Sequence, residues 1–341
     1  MDRSLSALLR GSADPSDFRA EYDAFARSCA LVSRADRAAV RVTGERAAEM
    51  LNGLVTNRVT GLDRRGCHAL LLNAKGRILS DMRVLPEGAG LLLDVPRAGL
   101  DNLLSTFKKY LPPIYASYEN LSDDVVQVGV YGPESSAAVA AAIGDVPAEP
   151  HLSVLSVTHE GESLLLIRDR RLAEDGIELL LPAAASTAVV GELSKAAAVR
   201  EGRAAGWRAL EARRIERGIP RYGIDMSDAN LAQESGLEEE AISYDKGCYL
   251  GQEVVARVHF RGHVNRRLMG LKFGEGGAAP GARLFRGEKR VGEVTSSVDS
   301  PAFGPIGLGY VRREIEESAN LRWSEDERGG ELMVTALPFR E

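Results

Sequence analysis

Two stretches of the chain share one order of apolar and polar positions. In the first, Ala39-Val40-Arg41-Val42 alternates with the two-residue period of a strand and Thr43-Gly44 turns. Glu45 to Leu54 then carries an apolar stripe through Ala48, Leu51 and Val55 at helical spacing. In the second, Val126 to Val130 reads as a strand, Tyr131-Gly132-Pro133 turns, and a helix starts at Glu134. Gly44 and Gly132 stand 88 positions apart. A further echo follows in each copy. Leu91 to Pro96 leads into a helix ending at Tyr110, Leu179 to Pro182 leads into one ending at Ala198, and the two prolines are 86 positions apart. Nearly equal offsets predict an internal duplication of about 87 residues, a period too long for a solenoid. Strands interleaved with helices and hairpins predict α+β units with helices on one sheet face.

His68 to Val84 reads as a hairpin turning at Asn73 to Gly76, with Asp81 on its second strand among Ile78, Leu79, Met82 and Val84. A carboxylate there is ordinarily the solvent-side residue of an alternating strand. Residues 1–28 are polar, and Phe18, Tyr22 and Phe25 predict a short amphipathic helix laid on the body. Ala205 to Arg217 is dense in charge through Glu211, Arg213, Arg214 and Arg217, a pattern that predicts a solvated face with weak ion pairs. Arg221 to Leu237 has many turn formers and reads as a long loop, of a length that tends to be functional. From Arg267 onward, short segments such as Leu268 to Phe273, Val291 to Thr295, Gly307 to Val311 and Leu332 to Val334 alternate with Gly- and Pro-bearing turns. They predict a small all-β barrel or sandwich. The expected layout is a helical extension at 1–28, a region at 29–266 of two α+β units, about 29–122 and 123–266, that need not be continuous in sequence, and a C-terminal β-barrel at 267–341.

Composition narrows this picture. A length of 341 residues exceeds one ordinary core, and 44% apolar with 27% charged residues is globular and soluble in character. A net charge of −6 argues against a dedicated nucleic-acid binder. The three cysteines, Cys29, Cys67 and Cys248, are widely spaced and form no Cys-x-x-Cys. That suits a reducing compartment and argues against a tetrahedral metal or an iron–sulfur cluster held by this chain alone. Cys29 and Cys67 read as packing residues. The first residues lack the pattern of a signal peptide, and no apolar run is long enough for a span, so the cytoplasm and no membrane partner are expected.

The densest chemistry lies in Lys246-Gly247-Cys248-Tyr249-Leu250-Gly251-Gln252-Glu253, just before Val254, Val255 and Val258 at helical spacing. A helix opening near Gly251 puts Gln252 and Glu253 in its first turn, where free amides and the dipole favour acceptors and anions. A thiol just ahead of such a terminus and two residues from Lys246 is a candidate for reactivity, the competing reading being a tight turn around a buried, inert cysteine. Gly247 and Gly251 are the least replaceable residues on physical grounds, because close approach or positive φ excludes side chains. Arg257, Arg261, Arg266 and Arg267, with His259 and His263, follow as a basic cluster: a solvated helix end, or an anion or nucleic-acid patch.

This eight-residue stretch resembles the signature of the YgfZ-type folate-binding proteins, relatives of the aminomethyltransferase (T-protein) of the glycine cleavage system. The resemblance covers roughly residues 30–340. Arg214-Ile215-Glu216-Arg217-Gly218 looks like their shared R-x-E-x-G segment, which implies Glu216 as the carboxylate gripping the pterin, with Arg214 beside it. Gly76 to Asp81 looks like the strand bearing the T-protein's catalytic aspartate, which falls on Asp81, although Ser80 stands where T-proteins carry a second acid. The family implies a three-domain ring of two α+β domains and a barrel, binding tetrahydrofolate or a one-carbon derivative. Its YgfZ branch acts in maintaining iron–sulfur proteins, including a tRNA-thiolating enzyme. On that branch Cys248 is the working thiol, Lys246 supports its thiolate, and Tyr249, Gly247, Gly251, Gln252, Glu253 and Arg257 join Glu216 and Arg214 around the folate. The implied partners are iron–sulfur client or assembly proteins. Two other classes stay open: a folate-dependent aminomethyltransferase that needs Asp81, and an RNA-binding accessory protein whose binding by the Arg257 to Arg267 stretch weakens steeply with salt.

Overall fold

A computed structural model describes residues 8–9, 17–326 and 328–340. The chain divides into two units, one made of Met1–Gly53, Arg58–Ala69 and Met82–Leu210, the other of Leu54–Asn57, Leu70–Asp81 and Glu211–Glu341.

The duplication is visible element by element. Strand Arg37–Thr43, helix Ala47–Asn52, strands Cys67–Leu72, Ile78–Glu87 and Gly90–Pro96, and helix Arg97–Tyr110 make the first copy. Strand Val125–Tyr131, helix Ser135–Ile143, strands Val154–His159, Glu162–Arg168 and Gly176–Pro182, and helix Ser186–Ala198 repeat it. The paired glycines do the same work, with φ of +123° at Gly44 and +129° at Gly132. A Cβ on Gly44 would lie 2.7 Å from the Tyr115 carbonyl oxygen, and one on Gly132 would lie 2.4 Å from that of Ser28. Each strand-to-helix corner therefore passes too close to a neighbouring backbone for any side chain.

Strand Ala30–Ser33 precedes the first copy yet pairs antiparallel with Val125–Tyr131, and Arg203–Ala204 adds beside it in parallel. Cys29 to Val32 are all fully buried, as suits a strand covered on both faces inside the six-stranded sheet. Leu164, Leu166 and Ile177 face helices Ser135–Ile143 and Ser186–Ala198 in one core; Ala39, Leu85 and Leu92 meet Leu165, Ile167 and Leu180 in another, between the two sheets. Helix Phe18–Arg27 buries Tyr22 and Phe25, the latter stacked on Tyr131 at 5.9 Å. Positions 1–7 and 10–16 of the expected extension lie outside the described residues.

A closed set of charges sits in the first unit. Buried Arg83 reaches Asp94 across the strand pair, Asp169 at 2.8 Å and Glu178. Arg37 holds Asp94 through two bonds of 3.0 and 2.9 Å, and Arg34 bonds Glu178 at 2.6 Å. His68 lies beside the set with its Nε2 3.4 Å from that of His151. Burial pushes the His68 imidazole well below its ordinary value, with the Arg171 charge adding to the shift. Between that depressed value and about 6.5 the unfolded chain binds the extra proton, so His68 contributes fully above about 6.5 and its contribution falls as the pH drops. Denaturant melts at pH 7.5 and 5.5 should show a loss of up to about 1.4 kcal/mol per pH unit. His68→Asn should flatten that slope; an unchanged slope would remove His68 as its source.

The second unit carries the barrel, closed in the order Arg266–Phe273, Gly304–Arg312, Lys289–Ser300, Arg283–Arg286, Asn320–Glu325 and Arg328–Thr335. Leu271, Leu284, Trp323 and Val334 belong to its filling, while Ile215 packs with Leu268, Ile306, Leu308 and Phe339. The charged stretch before it is not the solvated face its composition predicts. Helix Trp207–Glu216 buries Arg214 and Glu216 along with Ala212 and Ile215. Nor is Arg221 to Leu237 a surface loop, since Tyr222, Met226 and Ala232 pack with Leu70, Leu72 and Ile78 of the hairpin and with Ile242, Tyr249 and Val255.

Candidate functional site

The signature forms a loop that ends at Gly251 and launches helix Gln252–Arg261, placing Gln252 and Glu253 in the first turn as the spacing predicts. Gly251 has a φ of +84°, and a Cβ on it would lie 2.5 Å from the Asn73 carbonyl oxygen. A Cβ on Gly76, at φ +70°, would lie 2.9 Å from Val254 Cβ. The hairpin turn that receives the helix start is itself tied: Asn73 Oδ1 accepts from the amides of Lys75 and Arg77 at 2.9 and 3.1 Å. Two glycines, one on each side, thus let the helix start and the turn meet backbone to backbone. Gly247 differs from Gly251, since its Cβ would meet nothing within 4 Å. Its lack of a side chain is not required by the folded chain itself. Gly251→Ala should therefore cost about 2 kcal/mol or more, from the left-handed φ and the clash, while Gly247→Ala should stay within about 0.5 kcal/mol. Urea melts of the two variants side by side would show equal losses if this account of Gly251 were wrong.

Lys246 turns inward and is only 7% exposed. Its ammonium donates to the carbonyls of Val55 and Asn57 at 2.7 and 2.9 Å and lies 5.0 Å over the ring of Tyr249. That corrects the expected support of a thiolate: the cation answers carbonyl dipoles in the strap Leu54–Asn57. Thr56 completes the strap, donating its hydroxyl to the Ala241 carbonyl at 2.6 Å and accepting from the Leu70 amide at 2.8 Å. Nothing in the local pattern marks Thr56, because its partners come from distant parts of the chain. With Lys246 and Tyr249 buried on either side, Cys248 is the exposed residue of the three. Tyr249 packs in the core rather than lining an opening, and burial pushes its phenol up to about 12.

Asp81 stands half-buried at the fourth position of strand Ile78–Glu87, alternating with buried Ile78 and Ser80. Ser80 Oγ donates to the Asp81 carbonyl at 2.9 Å. Glu216 sits differently from the pterin-gripping part that the resemblance implies. It is 3% exposed, one carboxylate oxygen accepting from Ser300 Oγ at 2.5 Å and the other from Arg213 Nη1 at 2.9 Å. Arg214 is likewise internal, donating to Glu211, Asp225, the Ile219 carbonyl and Ser296. Burial opposes its charge, but Asp225 and Glu211 more than offset this and hold its pKa above the ordinary guanidinium value. Both residues, which the resemblance implies as ligand contacts, are held in place by these partners.

The basic cluster separates into two kinds. Arg257, Arg261 and His263 are exposed at the end of helix Gln252–Arg261. Arg266 instead bonds Glu234 at 3.2 Å and the Ala229 carbonyl at 2.8 Å, and Arg267 bonds the Ile315 carbonyl. A small aromatic stack missed by the spacing argument lies on the same helix: His259 packs on Tyr244 at 3.7 Å, with Phe260 70% exposed beside it. The second unit therefore carries an exposed thiol, a half-buried carboxylate, a helix start with an amide side chain, and exposed guanidiniums.

Comparisons with known proteins find relatives along most of the chain. Residues 13–246 match the GCVT N-terminal domain, and residues 266–339 match the glycine cleavage T-protein C-terminal barrel domain. The tRNA-modifying protein YgfZ of Serratia proteamaculans (strain 568) is 30% identical over 320 residues, covering 91% of this chain and 92% of that protein. An aminomethyltransferase of Corynebacterium jeikeium (strain K411) is 28% identical over 330 residues, covering 88% and 84%. The crystal structure of the glycine cleavage system aminomethyltransferase T from Bartonella henselae superposes with a TM-score of 0.85 at 21% identity, over 95% of this chain and 90% of that one. The last likeness establishes the shared fold. No helix among the described residues is long and apolar enough to cross a membrane.

Proposed function

This chain belongs to the glycine cleavage T-protein family, and on that premise we propose that it plays a YgfZ-type role, binding tetrahydrofolate and supporting iron–sulfur clusters in client enzymes, tRNA-modifying ones among them. The observation that carries the proposal is the exposed Cys248, held on a loop whose neighbours Lys246 and Tyr249 are anchored inside and whose exit at Gly251 is locked onto the hairpin turn. A thiol so placed is open to a partner while its backbone stays put.

The residues fit a folate in kind. A pterin edge needs a carboxylate, and the family motif points to Glu216, whose two oxygens each accept one bond and keep a second lone pair, with Asp81 half-buried on its strand. A polyglutamate tail needs cations, which exposed Arg257 and Arg261 supply, and Gln252 offers an amide at the helix start. When bound, the folate supplies a reduced, one-carbon-carrying cofactor. Cys248 acts on the cluster, which is substrate here. Its thiol loses a proton and its sulfur replaces a donor thiolate on a cluster iron, the displaced thiolate taking up a proton. The client's cysteine, losing its own proton, then displaces the Cys248 thiolate, which is reprotonated, with no change of oxidation state.

Calorimetric titration with tetrahydrofolate should show saturable binding, and the same protein given an aminomethyl donor should release no ammonia. Folate-dependent ammonia release that is lost in Asp81→Asn would instead establish the aminomethyltransferase reading.

A further inference from the structure

A second candidate site lies wholly in the first unit and is independent of the Cys248 reading. Where the two copies of the duplicated motif turn from their last strand into their last helix, a cavity of about 400 Å³ opens, lined among others by Ser33, Arg34, Arg37, Arg97, Gln127 and Ser186. Arg97 and Ser186 are the first residues of helices of 14 and 13 residues, and neither helix has an acidic residue in its first turn or a side-chain cap. The Arg97 amide is held by the Asp36 carbonyl at 2.9 Å, and both helix starts line one space without an acidic side chain in their first turns.

The charges around it are unequal in commitment. Arg34 is ion-paired with Asp36 and Glu178, and Arg37 with Asp94. Arg97, by contrast, bonds the carbonyls of Ala35 and Ser122, at 3.0 Å each, and no carboxylate among the described residues. Asp123, exposed, is also on the cavity wall. The independent observation is Gln127. It is 6% exposed, yet neither its Nε2 nor its Oε1 has a hydrogen-bond partner. It lies on strand Val125–Tyr131 opposite Leu180, whose side chain has no polar group to offer it. An amide shut from water with both a donor and an acceptor unmet costs free energy that a complementary group would recover.

We propose that this cavity binds a small organic anion bearing an amide-type edge, its carboxylate or phosphate received by Arg97 and the two helix starts, and its adjacent donor and acceptor paired with Gln127. Two sources share that chemistry, a nucleoside monophosphate with a lactam base and an N-acyl amino acid. Ala35, Ala38, Ala183, Val125 and Val126 are also on the wall, and the volume of about 400 Å³ suits a compact molecule.

The test uses the full chain with three probes: uridine monophosphate, N-acetylglutamine and inorganic phosphate. Melting temperature and calorimetric Kd should respond to one of the two organic probes and weaken at least about tenfold in Gln127→Met and in Arg97→Gln. Without ligand, Gln127→Met should melt at or above the wild-type temperature, because it removes an unmet amide at nearly constant shape. Three results overturn the proposal: no response to either organic probe, an equal response to inorganic phosphate alone, or a Gln127→Met protein that binds as wild type or melts lower. A lower melt would mean that the amide is already satisfied.

Discussion

Arg83→Met should remove about 3–5 kcal/mol of stability, measured as a shift of the denaturant midpoint, which is a large share of what a domain of this kind possesses. The guanidinium is 1% exposed and answers three carboxylates, Asp94 from its own sheet and Asp169 and Glu178 from the other. Methionine keeps most of the volume but leaves those anions with fewer cations in a dry interior. Arg83→Lys should fall between, since one ammonium cannot match the fork that reaches all three. Burial works against the charge on Asp94 and on Asp169, but Arg37 with Arg83 in one case, and Arg171 with Arg83 in the other, outweigh it and hold both carboxyls below their ordinary value. Their contribution is therefore complete above about pH 3.9 and is lost as the pH falls below it. A loss under about 1 kcal/mol for Arg83→Met would mean that Arg34, Arg37 and Arg171 absorb the anions alone.

The second large effect is functional. Cys248→Ser should leave the fold intact, within about 0.5 kcal/mol, because the side chain is exposed and the loop is held by Lys246, Tyr249 and Gly251. Its support of iron–sulfur enzymes should nonetheless drop to the level of cells lacking the chain. Serine keeps the size and the hydrogen bonding but binds iron far more weakly than a thiolate does. Alkylation should follow the same line, with Cys248 modified in the native protein well before Cys29, whose side chain is fully buried and whose thiol burial pushes up. Faster labelling of Cys29 would contradict the exposure argument.

Much of this was legible in the residues because the signals are local. The strand, glycine turn and helix repeated 88 positions apart, the Asn73 to Gly76 hairpin, the short strands of the barrel and the helix start after Gly251 all depend on near neighbours. What escaped depends on partners far along the chain. Glu216 is closed by Ser300, 84 positions away, and Arg214 by Ser296, 82 away, so a run that reads as solvated charge became an internal brace. Lys246 finds its acceptors at Val55 and Asn57, about 190 positions earlier, which no local reading of a lysine beside a cysteine could anticipate. Strand Ala30–Ser33 likewise crosses to the other sheet because its partner Val125–Tyr131 offers an apolar edge there.

One experiment bears most directly on the role of Cys248. In a strain lacking this chain, the activity of an iron–sulfur enzyme would be measured after complementation with wild type, Cys248→Ser or Cys67→Ser, at matched protein levels. Restoration by wild type and Cys67→Ser but not by Cys248→Ser is the expected result. Full restoration by Cys248→Ser would contradict it, leaving the exposed sulfur without a part in the function.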